Sequence, residues 1–126
     1  MVASVADASV LAALIFQEPR ADEAERLIGT TSLFEPALLA SELASVCRKK
    51  AQRHIDLQAQ LLASLEIGLS MDIEWVEVDH VAVVETALVT GLTTYDATYL
   101  WLARVLQAPL LTFDEQMKRS NPWGLE

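Results

Sequence analysis

With one cysteine, two histidines, four glycines and four prolines among 126 residues, the chain is short of the residues that define several protein classes. Cys47 stands alone, so no intramolecular disulfide can staple the fold, and a reducing, cytoplasmic setting is expected. Scarce glycine and proline, beside a hydrophobic fraction of 52%, exclude a low-complexity or disordered segment and predict a well-packed core. Long apolar runs are missing too. The longest uncharged stretches, Ala8 to Gln17 and Thr86 to Tyr95, are about half of the ~20 residues that cross a bilayer, so no membrane span is expected. The start, MVASVADAS, has no basic segment before an apolar run and reads as a strand rather than a signal peptide. Neither a Gly-rich phosphate loop nor a G-x-S-x-G elbow occurs, which removes nucleotide-binding and serine-hydrolase readings.

What is present suits one domain over residues 1–126, a size at which roughly two thirds of the unfolded surface can be buried around a single core. The net charge of −9 argues at first against a polyanionic partner. Its distribution softens the objection. Arg48, Lys49, Lys50, Arg53, Lys118 and Arg119 fall in two short segments while the acids are spread out, so a locally basic rim is compatible with an acidic whole, as is a plain solvated helix end.

Along the chain, Val2 to Ala6 is a short apolar strand that ends at Asp7 and feeds a buried helix from Ser9 to Phe16. A helix follows over Ala21 to Ile28 with Gly29 to close it, then a strand over Thr31 to Phe34. Pro36 suits the first turn of a helix running to Gln52 with Leu39, Leu43 and Val46 on its apolar side, and Asp56 to Leu69 forms the next. Ile73, Trp75 and Val78 mark a half-exposed third strand, interleaved by Glu74 and Glu77. Asp79 caps a helix from His80 to Val89 that Gly91 stops, and Thr93 to Asp96 opens a long apolar helix to Gln107. The fourth strand is Leu110 to Phe113, ending at Asp114; a short helix covers Glu115 to Arg119, and Pro122-Trp123-Gly124 leads a brief fifth strand. Strands separated by helices predict the α/β class: a parallel sheet of four or five strands covered by helices on both faces.

In such sheets ligands bind beyond the carboxyl ends of the strands, where Asp7 and Asp114 both fall. Each also fits a helix N-cap, and Asp96 fits the acidic end of a capping box begun by Thr93. Asp96 nevertheless opens the stripe that continues at Tyr99 and Leu100 toward the core. Glu42 has no capping explanation. It lies between Leu38 and Val46 on one helical row, where a carboxylate costs stability unless it is protonated, paired, bound to a cation or extended to water.

All four acids can converge on one mouth of the sheet, where their mutual repulsion requires something positive. An all-oxygen site without Cys or His selects Mg2+ or Mn2+ over zinc. His54 and His80 lie outside these segments and read as surface histidines, and Cys47 reads as a small buried hydrophobe.

The segments VADAS, SELASV, TTYDATYLWLA and LLTFDEQM, in that order and over nearly the whole chain, resemble the acidic motifs of PIN-domain nucleases, most of all the VapC-type toxins of toxin–antitoxin pairs. The resemblance implies a three-layer PIN-like fold and assigns Asp7, Glu42, Asp96 and Asp114 to an acidic, catalytic metal site. It also places Ser9 and Thr112 beside that site as hydroxyls that support the acids or bind substrate. It further implies a metal-dependent endoribonuclease acting on RNA, a homodimer, and inhibition by a cognate antitoxin. Trp75, Trp101 and Trp123 are candidates for the apolar contact surface, or else plain core.

Two other readings compete. A catalytically silent PIN-like module would act by binding a protein. A phosphotransfer domain is disfavoured: the dehalogenase-like pattern needs an Asp two residues after the first, where Ser9 stands, and a receiver needs an acidic pair on the first strand and a late Lys.

Overall fold

Strands this short and apolar cannot stand alone, and in the computed structural model, which describes residues 2–120, they join edge to edge. β1 (Ala3–Ala6), β2 (Ser32–Pro36), β3 (Ile73–Val76) and β4 (Leu110–Leu111) form one parallel sheet in the order β3-β2-β1-β4. Ser4 pairs with Leu33, Phe34 with Glu74 and Val5 with Leu110. The chain moves outward from β1 to β3, then returns past β1 to lay β4 on its other side. The switch point therefore lies between β1 and β4, the place where open α/β sheets open a crevice.

Among the described residues six α-helices fill the connections, α1 (Ala8–Ile15), α2 (Ala21–Ile28), α3 (Leu38–Arg53), α4 (Gln58–Leu69), α5 (His80–Thr90) and α6 (Thr94–Leu106), and α7 (Glu115–Ser120) follows β4. α6 packs on β1, β2 and β4 with α5 against it, while α1 packs on β1, α2, α3 and α4. The result is the expected three-layer α/β architecture. Val5, Leu11, Leu39, Leu43, Tyr99, Leu100 and Leu110 are fully buried between the layers.

Helix ends follow the capping signals. Asp79 accepts from Ala82 N–H at 3.1 Å, Gly91 takes the left-handed conformation at φ 78°, and Thr93 accepts from Asp96 N–H at 3.1 Å. Other boundaries differ from the sequence expectation for identifiable reasons. β2 runs on through Glu35 and Pro36, so Pro36 closes a strand instead of starting a helix. Proline is tolerated at a strand terminus, where its missing N–H costs little. β4 stops at Leu111 because the Thr112 hydroxyl accepts from Asp114 N–H at 3.0 Å and turns the chain out of the ladder. β3 ends at Val76, leaving Val78 beyond it, and Trp75 on this edge strand is exposed. A 3-10 turn over Ile55–Leu57 precedes α4. The fifth strand expected at Pro122 to Gly124 lies outside the described residues.

The α1–α4 contact depends on Gly68, which is buried against Ile15; a Cβ at this position would meet Ile15 Cδ1 at 2.5 Å and Cγ1 at 2.8 Å. Gly68→Val is expected to lower unfolding free energy by about 1–3 kcal/mol through overpacking, read as a lower urea midpoint. An unchanged midpoint would mean that α4 moves aside freely.

Candidate functional site

Asp7 leaves β1 at the switch point and caps α1. Its Oδ1 accepts from Ser9 N–H at 3.0 Å, Ser9 Oγ at 2.6 Å and Val10 N–H at 3.3 Å, and its Oδ2 accepts from Thr112 Oγ1 at 2.5 Å. Ser9 Oγ in turn accepts from Phe113 N–H at 3.0 Å. Ser9 and Thr112 therefore both lie beside Asp7 and tie the end of β1 to the end of β4. Burial raises the Asp7 carboxyl above the usual aspartate range, against the lowering effect of these hydrogen bonds.

Asp114 follows the turn at Thr112 and caps α7, its Oδ1 accepting from Met117 N–H at 2.9 Å. The side chain is otherwise exposed. The capping roles of Asp7 and Asp114 are thus real, and each carboxylate keeps lone pairs beyond those its cap uses.

Glu42 lies on α3 along the margin of the buried row Leu39, Leu43 and Cys47, not in its centre. Half-buried, it accepts at Oε1 from the Tyr99 hydroxyl at 2.5 Å. Burial raises its carboxyl, with the charges of Asp96 and Asp7 adding to the effect. Burial likewise pushes the Tyr99 phenol far above its usual range, helped by Glu42. Asp96, half-buried in the first turn of α6, is raised by burial and then by the charges of Asp114 and Asp7. Glu42 and Asp96 thus each feel the charges of two other acids that come from separate stretches of chain.

Sequence reasoning passed over three residues here. Glu35 is fully buried near the end of β2, with Oε2 accepting from Ala6 N–H at 2.9 Å and Oε1 lacking a hydrogen-bond partner among the described residues. Burial holds its carboxyl well above the usual range, and the charge of Asp7 pushes the same way. The signal was an acid between Phe34 and Pro36 in a strand buried on both faces. Tyr99 appeared only as a stripe residue. Arg20, whose guanidinium carbon lies 3.7 Å from the centroid of the Phe113 ring, carries a cation to the segment just before Asp114 and also pairs with Glu23 at 2.8 Å.

The expected basic rim divides. Lys118 and Arg119 lie on α7, directly after Asp114. Arg48 to Arg53 occupy the far turns of α3, about 9–16 Å along the helix axis from Glu42, and Lys50 is bound to Glu18 at 2.7 Å. His54 and His80 are exposed and Cys47 is buried.

A hard divalent cation fits this donor set by chemistry: the ligand atoms are carboxylate oxygens whose ionised forms are disfavoured by burial and by one another. Among the described residues, no three carboxylate, imidazole or thiol groups are grouped closely enough to hold one ion as they stand. Holding one ion would therefore require side-chain rotation, for which half-buried Asp96, whose carboxylate makes no hydrogen bond among the described residues, is the candidate.

Residues 4–121 match the PIN domain. The chain belongs to the PIN-domain family. Among PIN-domain relatives, Ribonuclease VapC3 of Pyrobaculum aerophilum is 35% identical over 126 residues, 94% of either chain. The crystal structure of PAE2754 from the same organism superposes with a TM-score of 0.78 at 25% identity, covering 99% of this chain and 90% of that one. Mycobacterium tuberculosis VapC20, described as a Sarcin-Ricin loop cleaving toxin, has the same PIN fold, with a TM-score of 0.67 at 17% identity over 93% of this chain and 94% of its own. So does VapBC2 of Rickettsia felis, solved bound to a DNA fragment from its promoter, with a TM-score of 0.67 at 17% identity over 97% and 95% of the two chains.

Asp7, Glu35, Glu42 and Asp96 all hold protons more tightly when folded than ordinary carboxyls do. Between the usual carboxylate range, about pH 4, and the raised folded values, the native state binds more protons than the unfolded one. Stability from this source is full below that range and is lost as pH rises through the raised values. In chelator, urea denaturation is expected to give a lower stability at pH 7.5 than at pH 5.5, with a shallower decline for Glu35→Gln. A Glu35→Gln profile parallel to wild type would show that Glu35 is not the responsible group.

Proposed function

We propose that this single-domain PIN protein is a Mg2+- or Mn2+-dependent endoribonuclease, the toxin of a type II toxin–antitoxin pair, acting in the cytoplasm. The observation that supports the reading most is that, in a chain of this family, Glu42 feels the charges of Asp96 and Asp7, and Asp96 those of Asp114 and Asp7. The name of the 35% identical relative, a ribonuclease, supports the same activity here. An antitoxin partner draws support from the VapBC complex among the structural neighbours. No helix among the described residues is long and apolar enough to cross a membrane, and the lone Cys47 suits a reducing compartment.

In this mechanism Asp7, Glu42, Asp96 and Asp114 hold the cation, which, when bound, supplies charge neutralisation and Lewis-acid activation of a phosphodiester. Ser9 and Thr112 fix the rotamer of Asp7, and Tyr99 fixes Glu42 through Oε1. Such outer contacts typically change metal affinity or activity by 10–100-fold when removed. Arg20, Lys118 and Arg119 steer the RNA backbone toward a protein whose overall charge opposes it. The exposed aliphatic row Val81, Leu88 and Val89 on α5 provides apolar surface for a homodimer.

The direct test is cleavage of RNA by purified protein. Wild type is expected to cut with Mg2+ or Mn2+ and to stop in chelator; Asp96→Asn should lose at least 100-fold, and Thr112→Val about 10–100-fold. Equal cutting by wild type and Asp96→Asn would place the activity elsewhere.

A further inference from the structure

The ladder between β1 and β2 ends early, and a buried side chain takes over. Their registered pairs are Ala3–Ser32 and Ser4–Leu33, whereas β2 stays paired with β3 as far as Pro36–Val76. The cause is local. Ser32 N–H donates to Val2 C=O at 2.8 Å, so with the two-residue period of a strand the same edge of β2 next presents Phe34 and Pro36, and proline has no N–H to give. On β1 the same alternation sends the N–H groups of Val5 and Asp7 to Pro109 and Leu111 on the β4 side, each at 3.0 Å, and turns Ala6 N–H toward β2. There it meets the Glu35 carboxyl, whose Oε2 accepts at 2.9 Å.

Glu35 is fully buried, and its Oε1 has no hydrogen-bond partner among the described residues. Filling the space beside Ala6 needs only an apolar side chain, and an unsatisfied buried carboxyl oxygen costs stability. What Glu35 supplies and an apolar residue cannot is an acceptor for Ala6 N–H, one residue before Asp7. The end of β1 is thereby held from both sides, by Leu111 at Asp7 N–H and by Glu35 at Ala6 N–H. The position also reaches the other half of the site: the Tyr99 phenol, which donates to Glu42, feels the charges of Glu35 and Asp7 alike.

We propose that Glu35 is a positioning residue for the candidate cation site: by holding Ala6 N–H it fixes the end of β1, and with it the direction in which Asp7 presents its carboxylate. The inference rests on the reading of the four acids as that site. Glu35 acts through the backbone and touches neither cation nor RNA. Removing an outer contact of this kind typically weakens metal binding 10–100-fold.

Two measurements on the same variants test it: Mn2+ titration followed by electron paramagnetic resonance, and amide hydrogen exchange of the metal-free protein in chelator. Glu35→Leu, which keeps the bulk and loses the acceptor, should bind Mn2+ at least about tenfold more weakly. Its Asp7 and Val10 amides, which report the end of β1 and the Asp7 cap, should exchange at least about tenfold faster. Glu35→Gln keeps an oxygen for Ala6 N–H and should behave as wild type in both. The Ala82 amide, on the cap of α5, should not change in any variant. If Glu35→Leu does not fold, Glu35→Asp takes its place, since it keeps the acid but falls one methylene short of Ala6. Wild-type Mn2+ affinity in folded Glu35→Leu, an equal loss in Glu35→Gln, or exchange that quickens at Ala82 as much as at Asp7 would each overturn the proposal. Absence of saturable Mn2+ binding by wild type, with Asp7 and Val10 still loosened in Glu35→Leu and not in Glu35→Gln, would overturn the cation site and leave Glu35 as the holder of Asp7.

Discussion

Four hydrogen bonds converge on the Asp7 carboxylate, one of them from Thr112, 105 residues away. They serve as helix cap, as clasp between β1 and the end of β4, and as the anchor of an acid held almost wholly out of solvent. Burying a carboxylate is costly unless its oxygens are satisfied, and here the satisfying groups come from both sides of the switch point. The short β4 depends on the same clasp, since the turn at Thr112 both ends the strand and presents Asp114.

Around that anchor the charge accumulates. Glu42, Asp96 and the buried Glu35 each stand where ionisation is disfavoured, first by burial and then by a neighbouring acid. Sites that store such cost are common where a protein binds a charged partner, because the ligand relieves what folding left unfavourable. The cations carried beside Asp114 are local: Arg20 on the Phe113 ring, itself paired with Glu23, and Lys118 and Arg119 on α7, Lys118 lying 3.7 Å from Glu115, rather than the longer basic run at the end of α3. A net charge of −9 is thus compatible with a basic approach to one face.

Much of this was legible in the residues. The apolar run before Asp7, the Asp79 and Gly91 signals around α5, and the strand–helix alternation led to the α/β sheet and to the ends where Asp7 and Asp114 sit. What escaped did so for physical reasons. Glu35 was hidden because the second strand was expected to stop at Phe34, before Pro36, whereas β2 runs on through the acid and a central parallel strand is buried on both faces. The Tyr99–Glu42 bond joins residues 57 apart, and Arg20 meets Phe113 across the fold; no local period encodes either contact. Glu42 lies, as read from the sequence, between Leu38 and Val46 on one row of α3, and all three are half-buried.

The central claim is that carboxylates from four parts of the chain act as one cation site. Titration of the metal-free protein with Mn2+, followed by electron paramagnetic resonance of the free ion, measures this directly. The account predicts saturable binding that weakens by at least about tenfold in both Asp7→Asn and Glu42→Gln. Binding unchanged in Glu42→Gln, or no saturable binding at all, would contradict it and favour a PIN module that works only through a protein partner.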